Sequence, residues 1–195
     1  MEQKVKLGKI FIISAPSGAG KTTILRRILK EVPNLHFSVS VTTRKPREGE
    51  RDGIDYYFVS VDRVLEMFRN KELLEWAMVH GNFYGTPVWE VENKINAGMN
   101  VIVDVDVKGF MKIKRRYPEA ISIFIVPPSI EELKNRLLSR EGKKEFDENL
   151  RKRFEKATYE MSFRELYDYV VVNDDLDRAC EELKSIILKN IEKQF

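Results

Sequence analysis

The stretch S-A-P-S-G-A-G-K-T-T (Ser14–Thr23) joins an apolar run to a segment with helical periodicity. Its two glycines, Gly18 and Gly20, let backbone N–H groups turn inward around phosphate oxygens, and the positive end of the following helix dipole attracts the same anion. Lys21 is placed to reach the β- and γ-phosphates of a nucleotide, and the Thr22 hydroxyl to ligate Mg²⁺. The stretch therefore predicts a binding site for a nucleoside triphosphate.

This loop departs at one position from the general pattern G-x-x-x-x-G-K-[ST], because Ala15 stands where the first glycine is usual. The alternative interpretation is a strand-to-helix turn that binds nothing. Gly20, Lys21 and Thr22 follow the right kind of strand and open the right kind of helix, which favours the phosphate site. The predicted loop consists of Ala15, Pro16, Ser17, Gly18, Ala19, Gly20, Lys21, Thr22 and Thr23.

Short apolar runs alternate with helical patterns along the chain, as in α/β proteins with a parallel sheet. Buried strands are predicted at Lys9–Ala15, Asn100–Val107, Ile121–Val126 and Tyr167–Asn173. Helices are predicted at Lys21–Glu31, Ser129–Arg140 and Asp175–Glu192. Two segments break the alternation, because residues 36–90 resemble short mixed strands and residues 129–164 are purely helical in pattern. We therefore expect a parallel core that carries a small β-rich insert and a helical lid.

Composition limits the partners and the compartment. The 195 residues suit one domain, and 34 Lys and Arg against 31 Asp and Glu leave a net charge of +3. In the charged segment Thr42–Phe58 the basic and acidic residues cancel, which argues against a nucleic-acid partner. Cys180 is the single cysteine, so no intrachain disulfide is expected. Because we find neither a signal peptide nor an apolar run that could span a membrane, we expect a cytoplasmic protein without a membrane partner.

Two carboxylates, Asp104 and Asp106, end the second apolar strand. The carboxyl end of a core strand is where a protein with such a loop places a carboxylate near its Mg²⁺. If the strand continues to Val107, alternation sends both side chains to the same face. The alternative is that one of them caps the helix that begins near Lys108.

Arg44 and Arg47 flank a proline in the charged segment. Pro46 favours an extended backbone with a repeat of three residues, so the two guanidinium groups are expected to project from one side. Together they can grip a phosphate with bidentate hydrogen bonds, and Tyr56 offers a phenolic donor to the same anion. The alternative is a salt-bridged hairpin loop. A second anion site, separate from the glycine-rich loop, would mean a phosphorylated acceptor.

Glu75 lies in the predicted strand L-L-E-W-A-M-V (residues 73–79), on a largely apolar face beside a small alanine. A buried carboxylate needs partners, and the adjacent N1–H and N2–H donors of guanine match it, whereas adenine lacks that pair. Tyr84 and Thr86 present hydroxyls shortly afterwards. The alternative partner for Glu75 is an arginine of the core.

These motifs together resemble the guanylate kinase family, which phosphorylates GMP with ATP. The matching stretches are the glycine-rich loop, S-V-S-V-T-T-R-K-P-R-E-G-E-R-D-G-I-D-Y (38–56), L-L-E-W, G-N-F-Y-G-T and V-V-V-N-D-D, and they occur in the family's order. The resemblance implies a P-loop nucleoside monophosphate kinase fold with a five-stranded parallel core sheet flanked by helices. It divides the chain into a core (1–35, 98–128 and 165–195), a GMP-binding segment (36–97) and a lid (129–164).

The resemblance also implies roles for individual residues. The GMP phosphate would be held by Arg44, Arg47, Tyr56 and Tyr84, and guanine would be read by Ser40, Glu75, Thr86 and Asp106. The lid would bring Arg136, Arg140 and Arg153 to the transferred phosphoryl group, with Lys21 and Arg47 completing the catalytic set. Asn173 would lie near the adenine of ATP, and Mg²⁺, the expected cofactor, would be held through Thr22 and Asp104.

Two positions differ from the family's usual pattern: Lys108 precedes Gly109 where glutamine is common, and S-R-E-G (139–142) replaces Gly-Arg-Gly at the lid. The expected substrates are ATP with GMP and dGMP; the sequence leaves the choice between monomer and homo-oligomer open. Two other functions remain as alternatives, a non-catalytic module of similar fold that binds phosphopeptides and a kinase for another phosphorylated acceptor.

Overall fold

The computed structural model describes residues 7–79, 81–142 and 145–192 and confirms the predicted α/β class. Its strands are β1 (Ile10–Ser14), β2 (Leu35–Phe37), β3 (Val41–Thr42), β4 (Tyr57–Phe58), β5 (Leu73–Val79), β6 (Asn82–Pro87), β7 (Asn100–Asp104), β8 (Ile121–Val126) and β9 (Tyr169–Val172). Its α-helices are α1 (Lys21–Glu31), α2 (Val61–Arg69), α3 (Val88–Asn96), α4 (Val107–Arg116), α5 (Ile130–Arg140), α6 (Glu148–Met161) and α7 (Leu176–Glu192).

The core is a five-stranded parallel sheet with the order β2-β7-β1-β8-β9, as expected. All residues of β1 and β8 are buried, because helices cover both faces of the sheet. Alternate residues of β1 serve opposite faces: Phe11 packs with α1 and α7, and Ile12 packs with α3 and α4. Each fully buried side chain of this size stabilises the fold by about 1.5–3 kcal/mol.

A second sheet, called here the insert sheet, has the order β4-β3-β6-β5. Strands β3, β6 and β5 pair antiparallel, while β4 pairs parallel to β3. The register between β5 and β6 shifts between Leu73 and Glu75, so the consecutive residues Leu74 and Glu75 are both buried. This shift turns Glu75 towards the core side of the insert sheet, beside Gly109 of α4.

The prediction of short mixed strands throughout residues 36–90 was wrong at residues 88–90, which begin α3, and for one whole segment, which forms the helix α2. Ser60 caps this helix by accepting a hydrogen bond from the backbone N of Arg63, and Asp62 complements the helix dipole in the first turn. Val64 and Met67, three residues apart, pack against Val41 and Phe83 of the insert sheet.

The lid region consists of α5 and α6, whose contact is built on Leu133, Leu137, Leu150 and Ala157. Ser129 caps α5 as predicted, accepting from the backbone N of Glu132 at 3.0 Å.

Helix α3 falls within the predicted GMP-binding segment (36–97), yet it packs on the core sheet through Val91. The division of the chain at residue 97 stays a prediction. Within the described ranges, no helix has the length and apolar character that crossing a bilayer requires.

Candidate active site

The glycine-rich loop connects β1 to α1, as predicted, and its two glycines adopt backbone conformations that other residues rarely take. Gly18 has a φ of 93° and Gly20 a φ of 88°. Gly20 is also the N-cap of α1 and has no side chain to accept from the first N–H groups of the helix. The N–H of Thr23 donates to the backbone oxygen of Gly20 at 3.1 Å, which leaves those of Lys21 and Thr22 for an anion at the positive end of the helix dipole.

Ala15 replaces the first glycine of the motif without strain. Among the described residues, the non-glycine positions with positive φ are Asn34 and Lys71, so Ala15 does not need glycine's freedom. Its methyl group packs against the core cluster that includes Phe11 and Ile24. The departure from the general motif therefore leaves the loop geometry intact.

Asn173 braces this loop from the end of β9. The residue is 7% exposed, and its side-chain Nδ2 donates a 2.7 Å hydrogen bond to the backbone oxygen of Ala19. A Cβ at Gly20 would overlap the same amide nitrogen, so glycine is required there by space as well as by φ. The backbone oxygen of Asn173 accepts from Arg136 at 2.9 Å, which links the loop to the lid. The predicted contact of Asn173 with adenine stays a prediction.

Lys21 forms an ion pair with Asp104, the last residue of β7. Strand β1, which leads through the loop to Lys21, is the neighbour of β7, and this explains why residues 83 positions apart meet. Thr22 and Thr23 are exposed on the first turn of α1. The Thr22 hydroxyl and the Asp104 carboxylate are both hard oxygen donors of the kind that fits Mg²⁺, which keeps most of its ligands as water and phosphate oxygens. Among the described residues no cluster of three acidic, His or Cys side chains could enclose a metal without those ligands.

Asp106 is not part of a strand, so the prediction that β7 runs to Val107 was wrong. The strand ends at Asp104, and Asp106 is the N-cap of α4, where its carboxylate accepts from the backbone N of Gly109 at 2.8 Å. The capping alternative is therefore confirmed. Asp106 therefore does not share a strand face with Asp104, although its side chain remains exposed near Glu75 and contributes to the electrostatic environment of Glu75.

The three lid arginines, Arg136, Arg140 and Arg153, line the same cleft as the glycine-rich loop, with a volume of about 930 Å³. Arg136 is fixed on both sides, because its Nε donates to Glu132 at 2.7 Å and its guanidinium reaches the Asn173 backbone. Arg153 donates to the hydroxyl of Ser17 at 3.1 Å and forms an ion pair with Glu141. Met78 and Val79 bring the end of β5 to the rim of this cleft.

Three of the four residues expected to hold the acceptor phosphate, Arg44, Tyr56 and Tyr84, meet on the insert sheet. Arg44 donates from Nε to the hydroxyl of Tyr84 at 3.2 Å, and its guanidinium carbon lies 5.3 Å from the centroid of the Tyr56 ring. Glu50 accepts from Arg44 at 2.8 Å and also from the backbone N of Arg47 at 2.8 Å. The hydrogen bond to Glu50 is the main cause that raises the pKa of Arg44. Arg47 is exposed, and its guanidinium has no partner within the described ranges.

Glu75 is 8% exposed and accepts a 2.7 Å hydrogen bond from the hydroxyl of Thr86. Burial raises the pKa of the Glu75 carboxyl; the Thr86 hydrogen bond opposes that shift, and the nearby charge of Asp106 adds to it. The alternative pairing with a core arginine is not what the structure shows. Ser40 is half-buried at the start of β3, where its backbone oxygen accepts from the backbone N of Tyr57.

Two carboxylates of the site were missed by the sequence analysis. Glu50 orients Arg44 as described above. Glu160 lies on α6 and lines the same cleft as the lid arginines, seven residues after Arg153 and thus on the same helix face. Its side chain is 12% exposed, and its nearest described cation is Lys156 at 3.6 Å. Burial raises the pKa of the Glu160 carboxyl. The helical spacing from Arg153 was the one available signal for Glu160.

Comparisons with known proteins agree on one family. A family model described as guanylate kinase matches residues 7–190. Curated guanylate kinases are similar to this chain: the one from Desulfitobacterium hafniense is 44% identical over 93% of this chain and 90% of its own length, and the one from Geobacter metallireducens is 46% identical over 93% and 88%. A crystal structure of guanylate kinase from Anaplasma phagocytophilum superposes with a TM-score of 0.74 at 34% identity, covering 97% of this chain and 89% of that one.

Proposed function

The chain belongs to the guanylate kinase family and transfers a phosphoryl group from ATP to GMP, and we propose which residues serve each substrate. The observation that carries the proposal is the presence of two separate groups suited to anions. One is the glycine-rich loop with Lys21 at the end of β1, and the other is the Arg44–Tyr84 pair on the insert sheet. A transfer between two phosphorylated substrates needs both groups, and the comparisons favour neither a phosphopeptide-binding module nor another acceptor.

ATP is proposed to bind along the loop Ala15–Thr23. The backbone N–H groups around Gly18 and Gly20 would surround its phosphates, and Lys21 would leave Asp104 to contact the β- and γ-phosphates. Asn173 already supports this loop through Ala19, so it would keep the loop in the shape that the phosphates require.

Mg²⁺ is the proposed cofactor, held through the hydroxyl of Thr22 and the carboxylate of Asp104. When bound, it would supply positive charge that neutralises the phosphate oxygens of ATP. Asp104 exchanges partners in this scheme, since its ion pair with Lys21 occupies it in the structure described here.

GMP is proposed to bind the insert sheet. Arg44, Arg47, Tyr56 and Tyr84 would hold its phosphate, while Ser40, Glu75, Thr86 and Asp106 would read guanine. The ionised carboxylate of Glu75 would accept from N1–H and N2–H of guanine. Thr86 would keep the carboxylate oriented, because its hydroxyl already donates to Oε1 of Glu75. We propose dGMP as a second acceptor, since no residue of this set needs the 2′-hydroxyl.

The reaction itself needs charge neutralisation and alignment more than proton transfer. A phosphomonoester has a second pKa of about 6, so most of the GMP is a dianion at neutral pH and its oxygen can attack without a general base. Lys21, Arg47 and the arginines of α5 and α6 would hold the two anions in line and stabilise the charge that spreads over the transferred group. We propose that the lid and the insert sheet close over the core to exclude water.

For the surroundings of the enzyme, we propose a cytoplasmic location with neither nucleic acid nor membrane as a partner. The charge balance of the segment Thr42–Phe58 supports the absence of a nucleic-acid partner.

The assignment of the acceptor site is tested with Arg44→Lys, which keeps the charge but removes the planar fork that binds Tyr84 and Glu50. We expect the KM for GMP to rise about tenfold or more while the KM for ATP stays unchanged. Equal changes in both KM values would contradict the assignment of Arg44 to GMP.

A further inference from the structure

Glu90, at the start of α3, is a buried carboxylate that the proposed chemistry does not use. The residue is 5% exposed, and three donors surround it. Its Oε1 accepts from the backbone N of Val39 at 3.0 Å and forms an ion pair with Lys94, and its Oε2 accepts from the hydroxyl of Tyr57 at 3.0 Å. Burying a charge is unfavourable unless it is paired, so this set of partners is a specific arrangement.

The partners of Glu90 lie where the chain passes between the two sheets. Val39 belongs to the short connection from β2 of the core sheet to β3 of the insert sheet. Lys94 also donates to the backbone oxygen of Phe37 at 3.1 Å, at the other end of that connection. Helix α3 begins directly after β6, where the chain returns from the insert sheet. Glu90 therefore lies where the chain leaves the insert sheet after β6, and it binds the connection from β2 to β3 through which the chain enters that sheet.

The hydrogen bond between Tyr57 and Glu90 joins the insert sheet to helix α3. Tyr57 lies in β4 of the insert sheet, whereas α3 packs on the core sheet through Val91. The ring of Tyr57 also packs edge-on against Trp89 of α3, with 4.9 Å between centroids. The preceding residue, Tyr56, faces Tyr84 in the acceptor-phosphate group, with ring centroids 5.8 Å apart. Tyr56 thus belongs to the proposed site for the acceptor phosphate, and its neighbour Tyr57 links the insert sheet to the core.

We propose that Glu90 is a positioning residue, which holds the insert sheet through Tyr57 in the orientation that binds GMP. The inference rests on the proposed acceptor site. That site also crosses the boundary between the sheets, because Glu75 of β5 packs against Gly109 of α4, and a Cβ there would lie 3.2 Å from the Glu75 Cγ. If the insert sheet adopted other orientations, only a fraction of the molecules would present a complete site, and the apparent affinity for GMP would fall by that fraction.

The direct test is Tyr57→Phe, which removes the hydroxyl but keeps the ring that contacts Trp89. Tyr117 provides a matched control, because it donates a 2.7 Å hydrogen bond to Glu92 of the same helix, α3, and packs against the core cluster rather than the insert sheet. We expect the Kd for GMP, measured by isothermal titration calorimetry, to rise about three- to tenfold in Tyr57→Phe. The Kd for ATP and the kcat at saturating substrates should stay unchanged, and Tyr117→Phe should keep the wild-type Kd for GMP.

Glu90→Gln provides a second variant, because it keeps the shape of the side chain but loses the ion pair with Lys94. It should raise the Kd for GMP in the same way, and its effect should not add fully to that of Tyr57→Phe. Unchanged GMP affinity in Tyr57→Phe, or an equal loss in Tyr117→Phe, would overturn the inference while leaving the proposed function intact. Wild-type protein that binds no GMP would overturn both.

Discussion

Thr86 donates a 2.7 Å hydrogen bond to the carboxylate of Glu75, and both residues are buried where β6 meets β5. The bond fixes one oxygen of the carboxylate, and the Cγ of the same side chain packs beside Gly109 of α4. A buried carboxylate held in this way matches the two adjacent N–H donors of guanine, which is why we assign it to base recognition.

The first prediction concerns base selectivity. In Glu75→Gln the side chain can no longer accept two N–H bonds, so kcat/KM for GMP should fall about 10- to 100-fold, with a smaller change for AMP. Initial rates with both nucleotides measure this. Glu72→Gln is the control, since its carboxylate pairs with Arg63 at 2.7 Å, and it should keep the wild-type selectivity. Equal losses for GMP and AMP in Glu75→Gln would contradict the assignment.

The second prediction concerns pH. Burial raises the pKa of Glu75 above its value in the unfolded chain, so the folded protein releases this proton at a higher pH. The ionised group is thus less favourable in the fold, and its cost appears as the pH rises above the ordinary pKa of a glutamate, about 4. The free energy of unfolding of wild type, relative to Glu75→Gln, should fall above that pH. Chemical denaturation at several pH values tests this, and a difference that rises with pH would refute it.

The third prediction concerns Gly20. Alanine there would adopt a φ of 88° and overlap Asn173, whereas alanine at Gly81 would adopt a φ of 76° with no atom within 4 Å. Both variants should lose about 1–2 kcal/mol of stability from the backbone conformation alone. Only Gly20→Ala should lose more and bind ATP more weakly. Denaturation and ATP titration distinguish these outcomes, and equal behaviour of both variants would show that Asn173 does not restrict the loop.

The fourth prediction separates the two arginines of α5. Arg136 is held by Glu132 and the Asn173 backbone, whereas Arg140 has no partner within the described ranges. Changing either to alanine should reduce kcat about 10²- to 10³-fold, because each is proposed to stabilise the transferred phosphoryl group.

Only Arg136→Ala should also lower the thermal midpoint, since it alone loses contacts seen in the fold. Lys134→Ala, on the same helix and near the ring of Phe146, is the control and should keep the wild-type kcat. A kcat unaffected by Arg140→Ala would remove that residue from the proposed catalytic set.

Local patterns predicted the fold well where one physical effect dominates. The bounds of α1 and β8 were predicted correctly, because the glycine-rich turn sets the start of α1 and burial on both faces keeps β8 apolar throughout. Helix α2 was missed among glycines and prolines, although Ser60 and the spacing of Val64 and Met67 carry its signal.

Two carboxylates could not be predicted in the same way. The cations that pair with Glu50 and Glu160 lie in their own segments, Arg44 and Lys156, so these contacts resemble ordinary surface ion pairs. The helical spacing places Glu160 on the same face as Arg153, but only the fold shows that this face lines the cleft. Asp106 shows the opposite case, since a local cap overrode the strand alternation on which its prediction rested.

The central claim is tested most directly by measuring ADP formation from Mg-ATP with GMP, dGMP, AMP, CMP, UMP and dTMP as acceptors, for wild type and Lys21→Ala. We predict turnover with GMP and dGMP far above the other nucleotides, and its loss in Lys21→Ala because the β- and γ-phosphates lose their cation. Faster turnover with a different monophosphate, or GMP binding without turnover, would contradict the account.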